Sequence, residues 1–86
     1  MMNLMIEEVG KGLHPNETVV SVKTANGVER LVMPRQAIVG DTIQVGYPIK
    51  VRGDDFLIEL PGETQSGAWR VWINKRQFAE QERKRA

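Results

Sequence analysis

No cysteine occurs in this 86-residue chain, and only one histidine does. The first absence excludes disulfides and thiolate metal sites. The second leaves His14 as the only imidazole base for any catalytic triad. Aromatic residues are scarce: two Trp, two Phe and one Tyr. No apolar run approaches the ~20 residues that cross a bilayer, so no membrane helix is expected. Residues 1–9 contain Glu7 and Glu8 and lack a basic leader, so they do not read as a signal peptide. The expected compartment is the cytoplasm. Without secretion, Asn16-Glu17-Thr18 is a chance match to a glycosylation acceptor.

Catalytic groupings are equally thin. His14 precedes Pro15 in a glycine-bearing loop, and nothing links it to Ser21 or Ser66. One histidine without cysteine does not make a zinc site. Asp54 and Asp55 fall in a turn and serve its geometry. Gly10-Lys11-Gly12 lacks the strand–loop–helix context and the closing Gly-Lys-Ser/Thr of a phosphate loop. The reading is therefore a non-enzymatic chain with no cofactor and no metal.

What the chain does have is two hairpin signals. Asn26-Gly27 and Gly53-Asp54 each separate two alternating apolar runs. A type I′ turn at Asn26-Gly27 pairs Val22 with Leu31 and Val20 with Met33. It puts Lys23 opposite Arg30. A II′ or I′ turn at Gly53-Asp54 pairs Arg52 with Asp55, Val51 with Phe56 and Lys50 with Leu57. The inward face is then Tyr47, Ile49, Val51, Phe56, Ile58 and Leu60. Pro48 cannot donate to a ladder, which marks a bend or a sheet edge.

Further strands are expected over 42–47 and 68–73, the latter with Trp69, Val71 and Ile73 inward. Residues 2–9 fit a short helix by the spacing of Met2, Met5, Ile6 and Val9, though Met2, Leu4 and Ile6 also alternate. After the last strand, Asn74 reads as an N-cap with Gln77 at N3, and Ile73 and Phe78 as a hydrophobic staple. A C-terminal helix from about 75 follows. No internal repeat of fixed period is visible. The expected fold is all-β: a small, partly open barrel, SH3-like or OB-like, of five to six short strands with a short C-terminal helix.

Charge is uneven. Residues 1–73 carry 7 basic and 9 acidic side chains, and residues 74–86 carry 5 and 2. The division is a barrel domain over 1–74 and a basic helix or tail over 75–86. Arg70 and Trp72 share the outward face of the last strand, and Lys75 and Arg76 follow at once. With Lys23 and Arg30 they form the candidate binding surface. Arg and aromatic residues suit protein interfaces, so a protein-interaction or assembly module comes first, with a protein partner or a homodimer. The alternative is a nucleic-acid-binding module, since aromatics among cations also stack bases and meet phosphates.

Overall fold

The computed structural model describes residues 1–79. The order is β1 (Met2–Met5), β2 (Glu7–Lys11), β3 (Glu17–Thr24), β4 (Gly27–Pro34), a 3-10 turn (Arg35–Ala37) and β5 (Ile38–Val39). Then come β6 (Thr42–Val45), β7 (Lys50–Arg52), β8 (Asp55–Glu59), β9 (Arg70–Asn74), a second 3-10 turn (Lys75–Gln77) and β10 (Phe78–Ala79). All pairings are antiparallel. The sheets are β10-β1-β6-β5, β2-β3-β4 and β7-β8-β9. The all-β expectation holds, but there are ten strands in three sheets and no closed barrel among the described residues. No helix there is long and apolar enough to cross a membrane.

Neither expected helix forms among the described residues, and residues 80–86 of the expected basic helix or tail lie outside them. Residues 2–9 form β1 and β2, because Leu4 and Ile6 alternate into the core. At the other end, Asn74 does cap: its side chain accepts from the Arg76 N–H at 2.9 Å. What it starts is a single 3-10 turn. The chain then extends as β10, where Phe78 pairs with Leu4 and is buried. Its ring lies 5.7 Å from that of Phe56. A cap signal starts a turn without setting its length. Here burial of Phe78 in the sheet decides how the turn ends.

The first hairpin turns one residue early. Ala25-Asn26 is the loop and Thr24 pairs with Gly27. The Thr24 hydroxyl accepts from the Asn26 N–H (3.1 Å) and donates to the Gly27 carbonyl (2.9 Å). Gly27, at φ 132°, takes the conformation a side chain resists. Every partner shifts by two, an even number, so the faces survive. Val20, Val22, Leu31 and Met33 are all buried. Lys23 now faces Val28 and Arg30 faces Ser21, so the expected Lys23–Arg30 opposition does not form.

The second hairpin has the expected register next to its turn: Arg52 with Asp55, Val51 with Phe56, Lys50 with Leu57. The expected continuation to Ile49–Ile58 and Tyr47–Leu60 does not form, since the Ile49 N–H donates to the Leu57 carbonyl at 2.9 Å and the strand begins at Lys50. Gly53 has φ 61° and among the described residues no non-glycine residue has positive φ, which fits the II′ alternative. Its apolar face is only partly covered. Ile58 and Leu60 are buried and Phe56 packs against the core, but Tyr47, Ile49 and Val51 are exposed. β7 is the sheet's edge, at the place Pro48 marks. Trp69, also expected inside, is 45% exposed and precedes β9.

The pairings repeat about a two-fold axis. β4, its 3-10 turn and β5 recur as β9, its turn and β10, 40 positions later (Arg35 and Lys75, Ile38 and Phe78). The first amide of each turn donates to a carbonyl just before the neighbouring strand: Arg35 to Asn16 and Lys75 to Asp54, both at 2.8 Å. In the four-stranded sheet, Leu4 faces Ile43, and the flanking pairs are Leu4 with Phe78 and Ile43 with Ile38. Each half thus lends its last strand to the other. The spacing is 38 between β3 and β8 (Val20 and Ile58) but 40 between β4 and β9, because the intervening loops differ. A search for a fixed period misses a repeat of this kind.

Candidate functional site

β7, β8 and β9 set their outward residues in rows. Lys50, Leu57 and Trp72 make one row, and Arg52, Asp55 and Asn74 the next. Trp72 is half-buried on this face. The Arg52 guanidinium lies over its ring, 4.1 Å from the centroid. That contact is a cation–π stack, worth about 0.5–1 kcal/mol at an exposed site. The Trp72 carbonyl accepts from the Ala25 N–H at 2.8 Å, which ties the first hairpin's tip to β9.

Arg70 and Lys75 flank Trp72 but are already engaged. Arg70 bonds Glu59 (Nε–Oε2 3.0 Å, with a 2.9 Å ion pair) and sits 5.0 Å from the Trp69 ring centroid. Lys75 pairs with Asp54 at 3.5 Å. Arg76 is exposed beside them. Of the four residues expected from β9 and the segment after it, two carry carboxylate partners.

Lys23 and Arg30 lie elsewhere, on the β2-β3-β4 sheet. Lys23 lines an open cavity of about 290 Å³ with Met5, Glu7, Ser21, Asp41 and Gln77. The Arg30 carbonyl accepts from the Gln65 N–H at 2.7 Å. The two sheets share one core, but among the described residues no side-chain hydrogen bond or ion pair links Lys23 or Arg30 to Arg70, Trp72, Lys75 or Arg76. Among the described residues, no group of three or more His, Cys, Asp or Glu side chains could hold a metal.

β7 itself went unselected by sequence reasoning. Tyr47, Ile49 and Val51 are 72%, 47% and 63% exposed. Val51 lies in β7, on the face opposite Lys50 and Arg52, while Tyr47 and Ile49 precede the strand and the Ile49 N–H donates to the carbonyl of Leu57, the residue Lys50 also faces. Alternation alone placed the three apolar residues inside. Pro48 was the available sign that this strand is an edge. No protein-family model, curated protein or solved structure matches the chain.

Proposed function

We propose that this is a non-enzymatic protein-interaction domain whose contact surface is the β7 edge of the β7-β8-β9 sheet. The observation that carries the reading is the exposed apolar side chains Val51, on the edge strand β7, and Tyr47 and Ile49, in the segment that leads into it. Grouped apolar exposure of this kind marks interaction surfaces. Tyr47 and Arg52 are the residue types favoured at protein interfaces.

A nucleic-acid reading draws on Lys50 and Arg52 around Trp72. It has less support. Arg52 covers a face of Trp72, so a base would have to displace it. Arg70 and Lys75 are matched by Glu59 and Asp54, which lowers the local positive field.

The test is a photo-crosslinking amino acid placed at Val51, with exposed Gln36 as the control position. Protein adducts at position 51 and none at 36 support the domain as proposed. Adducts to nucleic acid at 51 favour the alternative. No adduct at either position removes the reading.

A further inference from the structure

We propose that the occupant of the β7 edge is an extended segment in which apolar and acidic residues alternate, added antiparallel to β7 as a fourth strand. This rests on the interaction reading above and supplies its partner chemistry.

Four sheet edges in the two three-stranded sheets can be compared. The β9 edge receives the Ala25 N–H at Trp72, and the β4 edge receives the Gln65 N–H at Arg30. Each is therefore closed in part by a loop from the other half of the chain. Among the described residues, no strand or loop hydrogen-bonds to the outer edge of β7 or of β2. An open edge offers unpaired amides and carbonyls to an added strand.

The side chains then select what is added. Successive residues of an added strand fall on opposite faces. On one face they meet Val51, with exposed Ile49 and Tyr47 just before the strand, which favours apolar partners. On the other they meet Lys50 and Arg52, which favours carboxylates. Neither cation has a carboxylate within ion-pair distance among the described residues. A second copy of β7 would place like charges opposite one another and is disfavoured. The β2 edge carries Glu7 and Glu8, but Glu8 shares the core-side face with Val20, so its carboxylates do not fall on one side. A regular apolar–acidic alternation fits β7 better than either.

The experiment is an NMR titration of the full chain, with backbone amides as reporters. Three capped peptides of about seven residues, a common strand length, are compared. One alternates Val and Glu, one alternates Val and Lys, and one is the Val/Glu peptide N-methylated at alternate amides. The Val/Glu peptide is expected to shift the amides of 47–52. The Val/Lys peptide should bind at least ~10-fold more weakly, and the N-methylated one not at all. In a K50E/R52E variant the order of the two unmodified peptides should reverse. Equal binding of the two, retained binding of the N-methylated peptide, or shifts confined to other strands overturns the proposal. So does a wild-type dimer whose interface already occupies 47–52. Protein adducts at position 51 combined with no peptide binding would reject strand addition and leave the interaction reading standing.

Discussion

Replacing Phe78 with alanine measures how far the fold depends on its last described strand. Phe78 is 8% exposed, pairs with Leu4 across the β1–β10 ladder and packs beside Phe56. Truncating a buried Phe costs ~3–5 kcal/mol. A domain of this size holds about 4–13 kcal/mol in total, at ~0.05–0.15 kcal/mol per residue. Phe78→Ala should therefore remove a large share of the stability and lower Tm by more than ~10 °C. Urea denaturation followed by far-UV circular dichroism gives the free energy. A double-mutant cycle with Phe56→Ala should show ~0.5–1.5 kcal/mol of coupling for the aromatic pair. A Phe on the side of a peripheral helix would be only partly covered and cost less than ~1 kcal/mol. A loss that small, or zero coupling, refutes the docking of β10.

Three further outcomes follow from the turns and the outer face. Gly53→Ala puts a side chain at φ 61° and should cost ~1–2 kcal/mol by chemical denaturation. Gly62→Ala, in open space, should stay within ~0.5 kcal/mol and serves as the control. Trp72→Ala truncates a half-buried side chain and should cost ~1–3 kcal/mol, below a fully buried Trp. Arg52→Ala should cost ~0.5–1 kcal/mol and alter the tryptophan emission, and an unchanged spectrum would mean the stack is absent in solution.

The sequence was most legible where local chemistry and alternation agreed. Gly53-Asp54 set the second register correctly, and the identities on the core face of the first hairpin survived a misplaced turn. That survival has a simple cause: a shift of two residues preserves parity, so Val20, Val22, Leu31 and Met33 stay together. The turn itself was missed because the Thr24 hydroxyl competes with the preference of Asn-Gly. Alternation also says which residues share a face, but not whether anything covers that face. Tyr47, Ile49 and Val51 were misread for that reason, since all three are exposed. Of the residues proposed from sequence, Arg70 and Lys75 pair with Glu59 and Asp54, partners that come from loop and strand packing that alternation does not encode.

The exchange of last strands between halves bears on where this chain could be opened. Ala79 lies opposite Asn3, and Val39 lies opposite Thr42. These are the same place in the two-fold pattern. One is bridged by the Gly40-Asp41 turn and the other is not bridged. A circular permutant that runs from Thr42 to Ala79, crosses a short new turn and continues from Asn3 to Val39 would keep every ladder, losing only the Met2–Val45 pair at the end of one of them. The tight turn and the facing strand ends are thus interchangeable, and chain connectivity at the axis is a matter of order rather than of architecture.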